Sequence, residues 1–267
     1  MLIIGYLISI LIGFTLGIFG GGGSILTVPV LVYLFHVPPV LATAYSLFIV
    51  GISTLIATIS QIKNKIINFK AAINFAIPSL IGTFLSRRII IPFIPEKIIQ
   101  INNYILKKDT AILIFFSIIM LLASYSMIKP RKENNKNIDD GKYLNMYSIT
   151  AISFLIGITT GIVGAGGGFL IIPTLVFLMK LEIKQAIATS ILIIAVNSLI
   201  GFTGSLMAGT VLDLNFLITF TSLTVIGILL GIYFSKNIPS QKLKPAFGWF
   251  LLLMGIFILI KETIFIR

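Results

Sequence analysis

The sequence predicts an all-α polytopic membrane protein, with about eight hydrophobic segments arranged as two homologous four-segment repeats. Three observations lead to this prediction: the composition, the length of the apolar runs, and an internal alignment of the two halves. Of the 267 residues, 57% are hydrophobic and only 10% are charged, whereas a soluble domain carries about 25% charged residues. This number of charges is too small to cover a water-facing surface. A large part of the surface must therefore face lipid.

Apolar runs suited to membrane helices recur along the whole chain, since a span needs roughly 20 mostly apolar residues. They cover residues 2–35, 40–62, 71–91, 110–128, 145–179, 185–208, 214–235 and 246–260. A polar, basic stretch separates the first four runs from the last four. We therefore predict an N-terminal membrane repeat at 1–128, a polar cytoplasmic linker at 129–144 and a C-terminal membrane repeat at 145–267. The start lacks the basic region of a cleavable signal peptide and is predicted to be a retained span.

The two halves align with each other at an offset of 144 residues, without a gap from Gly13 on Gly157 to Ser60 on Gly204. The glycine-rich stretch at 17–23 falls on the one at 161–167, and the prolines at 29 and 173 coincide. Apolar sequence produces chance Leu and Ile matches, but it does not align several glycines and a proline in register. This alignment predicts an internal duplication.

The first segment of each half is too long for one ordinary span and is interrupted in its middle. Each glycine in a helix costs about 1 kcal/mol relative to alanine, so the runs at 20–24 and 164–168 predict a helix, a glycine loop and a shorter second helix. If each broken segment crosses the membrane, the 20 Lys and Arg residues divide evenly between the two sides. If each segment doubles back, they divide thirteen to seven. The positive-inside rule favours doubling back, with a cytoplasmic linker and inverted halves.

The glycine runs are the first candidate for a binding site. Glycine lets backbone N–H groups approach a ligand without a Cβ in the way, and a following helix N-terminus favours negative charge, so the runs suit an anion. Packing alone is the alternative, and it is the preferred interpretation for the spaced pairs Gly13–Gly17 and Gly157–Gly161. The candidate binding residues are Gly20, Gly21, Gly22, Gly23, Ser24, Gly164, Gly166, Gly167 and Gly168.

Polar side chains in the second segment of each half are the other candidates. Ser46 and Ser190 occupy equivalent positions, and Asn197 places an amide within an apolar run. Their hydroxyl and amide groups can donate hydrogen bonds to an oxyanion. Such residues in membrane helices more often bond a backbone carbonyl or join two helices, so both interpretations stay open.

Several function classes lack the residues that they need. With no cysteine and one histidine, the chain offers no constellation for an enzyme, a metal site or a cofactor. Its basic residues lie in connectors, not in a patch that would bind nucleic acid. No ionisable residue is predicted near the middle of a span, which disfavours a proton relay. Arg87 and Arg88 are predicted to end a segment and to snorkel to the interface.

Two repeated motifs resemble those of a known family. They are Gly-Ile-Phe-Gly-Gly-Gly-Gly-Ser-Ile-Leu-Thr-Val-Pro at 17–29 with Gly-Ile-Val-Gly-Ala-Gly-Gly-Gly-Phe-Leu-Ile-Ile-Pro at 161–173, and Ala-Thr-Ala-Tyr-Ser at 42–46 with Ala-Ile-Ala-Thr-Ser at 186–190. Together they make the chain similar to the TauE/SafE family of sulfite exporters over essentially its whole length. The resemblance implies a permease for sulfur-containing anions such as sulfite and organosulfonates, but it does not fix the substrate.

We therefore predict an integral permease of the bacterial cytoplasmic membrane that moves a small anion, with sulfite or an organosulfonate, and export, favoured. The expected partners are this anion and the lipid bilayer, without nucleic acid, metal or cofactor. One alternative is a non-transporting membrane scaffold in which the glycines serve packing only, and another is a permease for a different small solute. A cation or metal permease is disfavoured because the methionines are not paired across the repeat.

Overall fold

The computed structural model describes residues 2–101, 104–128, 146–210, 212–235 and 240–264. These ranges form ten helices and a short β-hairpin, in which β1 (Lys97–Ile101) pairs antiparallel with β2 (Tyr104–Lys107). A 3-10 turn, Gly22–Leu26, precedes α2, and a π-helical turn, Ser86–Ile90, followed by the turn Ile91–Phe93 extends α4. The helices are α1 (Leu2–Phe19), α2 (Thr27–Tyr33), α3 (Pro39–Lys63), α4 (Phe69–Leu85), α5 (Lys108–Ile128), α6 (Met146–Val163), α7 (Gly168–Leu178), α8 (Ile183–Met207), α9 (Leu214–Ser235) and α10 (Ser240–Ile264).

The helices form a polytopic membrane protein, as the sequence predicts. Side chains such as Leu7, Ile77, Leu122 and Leu253 are more than half exposed, and an apolar surface of this extent is stable only against lipid. The hairpin between α4 and α5 is an addition that the apolar pattern did not predict. Five of the described helices are long and apolar enough to cross a membrane: Pro39–Lys63, Phe69–Phe93, Lys108–Tyr125, Ile183–Met207 and Leu214–Ser235.

The first broken segment doubles back on itself. α1 ends at Phe19, and the chain returns through the 3-10 turn and α2. The ring of Phe35, just beyond α2, lies 6.2 Å from the ring of Tyr6 in the first turns of α1. The segment therefore begins and ends at the same level.

The second broken segment also doubles back. The contacts show that α4 and α6 run parallel. Gly157 of α6 packs on Ser79 of α4, and Gly161, one turn later in α6, packs on Ser86 just after the end of α4. α8 begins near the start of α4: the backbone N–H of Asn68, just before α4, donates a hydrogen bond of 3.0 Å to Thr189 Oγ1 in the second turn of α8. α7 therefore returns to the level at which α6 began. Both segments thus adopt the arrangement that the charge count favours, and the cytoplasmic position of the linker stays a prediction.

Equivalent helices of the two halves run in opposite directions. α3 and α8 correspond at the offset of 144 residues and pack antiparallel: Phe48 lies beside Phe202, and Gly51, further along α3, lies beside Leu199, earlier in α8. The first helix of each half packs on the third span of the other half, α1 on α9 and α6 on α4. These directions are those of inverted repeats. The duplication and the domain bounds themselves remain inferences from the sequence, and the predicted linker at 129–144 lies outside the described residues.

The spaced glycine pairs lie at the two parallel helix contacts. A Cβ at Gly13 would lie 2.8 Å from the backbone nitrogen of Ile228 in α9, and one at Gly17 would lie 2.7 Å from that of Ile232. Gly157 meets the backbone of α4 in the same way. These glycines allow close approach of helix backbones, which is the packing role that we preferred for them.

Candidate functional site

Each glycine run forms a loop that only glycine adopts without strain. The first loop, residues 20–24, places Gly20 and Gly21 at φ +57° and +73°. The second loop, residues 164–168, places Gly164, Gly166 and Gly167 at φ +70°, +66° and +73°. Side chains are disfavoured at such positive φ values. The glycines therefore break both first segments where the sequence predicts, and α7 starts directly after the second loop.

The two loops meet backbone to backbone inside the protein. A Cβ at Gly168 would lie 2.5 Å from the carbonyl oxygen of Gly21 and 2.7 Å from its Cα. Ser24 Oγ donates to the carbonyl oxygen of Gly21 at 2.5 Å and also contacts the carbonyl oxygen of Ala165 in the other loop. The structure thus brings the two predicted glycine sites together, and Ser24 is engaged by protein carbonyls.

Apolar side chains of α8 surround the first loop. A Cβ at Gly20 would meet Ile187 at 3.1 Å from its Cβ, and Gly21 packs against Ile194. Ser190 Oγ lies 2.8 Å from the carbonyl oxygen of Ile187 and 3.4 Å from that of Gly20, and donates to these carbonyls. The hydroxyl of Ser190 therefore joins α8 to the first loop in this structure.

Polar side chains surround the second loop. A Cβ at Gly164 would lie 2.6 Å from both Arg87 Nη2 and the carbonyl oxygen of Thr43. A Cβ at Gly166 would lie 2.9 Å from Val50 Cγ1 and 3.1 Å from Ser198 Oγ. α8 therefore contacts both loops, whereas α3 and Arg87 add polar groups at the second.

Ser46 lies on the face of α3 that covers the second loop. It stands one helical turn after Thr43 and one turn before Val50, both of which contact that loop, and residues three or four apart share a helix face. The hydroxyls of Ser46 and Ser198 are fully buried and have no hydrogen-bond partner. A buried hydroxyl without a partner calls for an explanation, and here two of them lie on the helix faces beside the same loop.

Asn197 is buried but its amide is already paired with α4. Its Nδ2 donates to Ser79 Oγ at 2.9 Å, and Ser79 Oγ lies 3.2 Å from Asn197 Oδ1. The side chain thus joins α8 to α4, which is the structural interpretation that the sequence left open. Of the three polar candidates, only Ser46 retains an unused hydroxyl.

Arg87 is the residue that the sequence interpretation misplaced. We predicted that it snorkels to the interface, but its side chain is only 2% exposed and lies against the second loop, whereas the side chain of its neighbour Arg88 is exposed. Arg87 Nη1 donates a hydrogen bond of 2.9 Å to Thr43 Oγ1. Its Nε and Nη2 are buried without a hydrogen-bond partner. The prediction that Arg87 snorkels to the interface is therefore wrong, because its side chain is buried inside the protein.

Both arginines lie in the π-helical turn that follows α4. The turn Ser86–Ile90 contacts α6 and α8, and its extra residue shifts the faces of the helix, a distortion that is frequent at functional sites. A sequence signal for this was available: Ile89, Ile90 and Ile91 continue the apolar run beyond Arg87. An arginine followed by more apolar residues lies within a span, not at its end.

Two adjoining cavities lead to Arg87. The inner cavity, about 150 Å³, has Arg87, Lys108 and Ser205 among its polar lining residues, and none of the described carboxylates lines it. The outer cavity, about 500 Å³, has Glu96, Lys107, Lys108 and Asp109 in its lining. The two cavities share Lys108, whose Nζ donates to the carbonyl oxygen of Ile91. Because Glu96 and Lys107 are exposed, the outer cavity reaches the protein surface.

This centre is suited to binding, not to metal or acid–base chemistry. Within the described ranges no three His, Asp or Glu side chains come together as metal ligands would. The polar groups at the second loop are hydrogen-bond donors and a fixed cation. Such a set can hold an anion and has no group positioned to transform one.

Comparison with known proteins gives one consistent result. Residues 5–258 match the family model described as sulfite exporter TauE/SafE. A probable membrane transporter protein of Methanocaldococcus jannaschii is 29% identical over 94% of each chain. Two probable membrane transporter proteins of Bacillus subtilis also match. YunE is 28% identical over 77% of this chain and 80% of its own length, and YdhB is 27% identical over 92% of this chain and 94% of its own length. No solved structure matches the chain.

The family match covers nearly the whole chain, and both glycine loops and the surrounding helices lie inside it. This agrees with the resemblance that the repeated motifs suggest, and the family is one of transporters, not of enzymes. The protein is a multi-pass membrane transporter and belongs to the sulfite exporter TauE/SafE family.

Proposed function

We propose that the protein is a permease for a small anion, with sulfite or an organosulfonate as the substrate and export as the direction. One observation carries the proposal: among the buried side chains of the described residues, Arg87 is the only charged one. An isolated buried charge is penalised by several kcal/mol of desolvation. An anionic substrate would supply the missing countercharge at the point where the two broken segments meet.

The binding site in this proposal is built around both glycine loops. The second loop provides Gly164, Gly166, Gly167 and Gly168, with Ser46 of α3 beside it and Arg87 as the charged group. The first loop, residues 20–24, forms the opposite wall. Ser190 supports that wall through its bond to Gly20, and Asn197 joins α8 to α4 beside the site through its bond to Ser79. Ser24 and Ser190 would become donors to the anion when the loops separate and release the carbonyls that they now bind.

The direction follows from the electrical driving force. Each unit of charge moved across the membrane is worth about 2.3 kcal/mol per 100 mV, and a cytoplasm-negative potential drives anions outward. The described spans carry no buried carboxylate that could couple transport to protons. Helices of inverted direction that meet at broken segments are the arrangement from which alternating access by rocking is expected.

Efflux from proteoliposomes tests this proposal. Vesicles containing the purified full-length protein are loaded with sulfite or methanesulfonate, and valinomycin sets an inside-negative potassium diffusion potential. We expect saturable efflux that exceeds the leak of protein-free vesicles and rises with the potential. Efflux no faster than from protein-free vesicles for both anions, at every potential, would overturn the proposal and favour the non-transporting alternative.

A further inference from the structure

We infer that Arg87 binds two oxygens of an oxyanion substrate side-on, through its Nε–H and Nη2–H groups. This inference rests on the proposed function and deepens it, because it names the chemical class of the substrate and the residue that recognises it. Sulfite, a sulfonate and a carboxylate belong to this class. Halides do not, because a single atom cannot present two oxygens to the same guanidinium edge.

The hydrogen bonding of Arg87 leaves one edge of the guanidinium free. Nη1 is bound to Thr43 Oγ1 at 2.9 Å, while Nε and Nη2 have no partner. In a planar guanidinium, the N–H groups of Nε and Nη2 point in parallel from one edge and match two oxygens of an acid group. Thr43 therefore fixes the guanidinium by the nitrogen that the oxyanion does not need.

The Nη2 end of the free edge lies beside Gly164 of the second loop, a residue without a side chain. Nη2 lies 2.6 Å from the place that a Cβ at Gly164 would occupy. Any residue other than glycine would thus crowd the nitrogen that the oxyanion is to bind. The backbone amide of Gly164 already donates a hydrogen bond of 2.8 Å to the carbonyl oxygen of Thr160. The donors for the oxyanion at this place are therefore those of the guanidinium.

Three of the described carboxylates near these elements already have other contacts, and a fourth, Glu96, lines only the outer cavity. Asp109 Oδ1 lies 3.3 Å from the amide of Val40, Glu262 accepts a hydrogen bond from Tyr33, and Asp213 Oδ1 accepts one from the amide of Phe216. Buried charges in proteins are normally paired. Since no described carboxylate lines the inner cavity with Arg87, we assign the role of counterion to the substrate.

The cavities limit the size of the substrate and give it a route. Lys107 and Lys108 line the outer cavity together with Glu96 and Asp109, and only Lys108 continues into the inner cavity, where it joins Arg87 among the described lining residues. Val40 and Ala44 supply an apolar wall there, against which a short alkyl group of a sulfonate would pack. An inner volume of about 150 Å³ suits sulfite or a sulfonate with one or two carbons.

A set of ligands on the unaltered protein provides the first test. The melting temperature of the detergent-purified protein is measured with sulfite, methanesulfonate, acetate or chloride at constant ionic strength. A ligand that binds only the folded state raises this temperature. We expect stabilisation by the three oxyanions and none by chloride. Equal stabilisation by chloride and methanesulfonate, or none by any of the oxyanions, would overturn the inference without the need for a variant.

The second test compares Arg87→Lys and Arg87→Gln with the matched control Arg88→Gln, which alters a neighbouring arginine whose side chain is exposed. Arg87→Lys retains the charge but not the side-on pair of donors, so we expect the affinity for methanesulfonate to fall at least about tenfold, which corresponds to the net value of about 1.5 kcal/mol or more for a charged hydrogen bond. Arg87→Gln should abolish binding, and Arg88→Gln should leave it unchanged. Binding of methanesulfonate by Arg87→Lys as tight as by the unaltered protein would contradict a bidentate role.

The two proposals fail in different ways. Efflux from proteoliposomes containing the unaltered protein, together with unchanged oxyanion affinity in Arg87→Lys, would refute the role of Arg87 and leave the permease proposal intact. Binding of methanesulfonate that depends on Arg87, together with no efflux of any anion, would support the site and refute the permease.

Discussion

The two glycine loops share a backbone plan but not a chemical environment. Both loops break a first segment, turn through residues of positive φ and pack under α3 or α8. Ile187 covers Gly20 in the first loop, whereas the residue at the equivalent position, Thr43, covers Gly164 in the second. The comparison indicates that the first loop serves mainly to join the halves, while we place the anion at the second.

The position of Arg87 explains why the two loops differ. In the second half its place is taken by Ile232 of α9, because Gly82 and Gly227 make matching contacts with the first helices and set the offset of the third spans at 145. Ile232 is a buried aliphatic residue. A charge is therefore accommodated beside one loop only, and the two halves contribute unequally to the site.

The largest effect is expected for Gly168→Ser, which gives the second loop the residue that the first has at the equivalent position, Ser24. The new Cβ would lie 2.5 Å from the carbonyl oxygen of Gly21, and backbone cannot move aside as a side chain can. We expect a loss of about 3 kcal/mol in the free energy of unfolding, at the upper end for overpacking, seen as a lower melting temperature in detergent. Gly255→Ala is the control, because its Cβ would meet only side-chain atoms of Leu121 and Met120, at 3.1 Å or more. Equal melting temperatures for the two variants would show that the loops do not need this contact.

Exchanging the covering residues is expected to have the next largest effect. Thr43→Ile gives the second loop the apolar cover of the first and removes the acceptor that orients Arg87. We expect oxyanion affinity to fall about tenfold, as the loss of a hydrogen bond to a charged group predicts. Ile187→Thr makes the opposite exchange at the first loop and should leave affinity unchanged. Comparable losses of affinity in both variants, measured from thermal shifts with methanesulfonate, would mean that the two loops bind the anion equally.

Ser24→Ala tests whether the first loop joins the halves. The substitution removes the hydroxyl that contacts carbonyl oxygens of both loops, so we expect the unfolding free energy to fall by about 1 kcal/mol. Ser153→Ala serves as the control, because that serine is equally buried but its hydroxyl has no partner. A melting temperature as high as that of the control variant would show that the contact between the loops adds nothing to stability.

The smallest effects are expected at Ser46 and Ser190, the two serines that occupy equivalent positions in the halves. Ser190→Ala removes a hydrogen bond to a carbonyl and should reduce the free energy of unfolding by about 0.5–1 kcal/mol, with little change in oxyanion affinity. Ser46→Ala removes a hydroxyl without a partner, so stability should hold while affinity falls a few-fold. The reverse pattern, with affinity lost at Ser190 and stability lost at Ser46, would exchange the roles of the two loops.

Much of the fold could be predicted from the sequence because a membrane span is recognised from the hydropathy of about 20 consecutive residues. The apolar runs gave the spans, the glycine runs gave the breaks, and the spaced glycines gave the helix contacts at Gly13 and Gly157. The β-hairpin between α4 and α5 was missed, since it lies in a connector where the apolar pattern does not specify secondary structure. At the site, the sequence predicted a glycine loop in each half, and the structure brings the two loops into contact.

The partners of polar side chains could not be predicted in the same way. Ser46 and Ser190 look equivalent in the alignment, yet only Ser190 finds carbonyl acceptors. The sequence does not show which group the amide of Asn197 bonds, and in the fold it is hydrogen-bonded to Ser79. Hydrogen bonding depends on which helices come together, and this is a property of the assembled bundle.

The sequence alone determined that this chain lies in a membrane, that its first segments are broken and that its repeated motifs are those of a transporter family, because hydropathy and glycine content act over a few neighbouring residues. Only the tertiary structure decided that Arg87 lies inside the protein. Its side chain is enclosed by contacts with Thr43 and with the space that Gly164 leaves, and these residues are distant in the chain and adjacent only after the helices have packed.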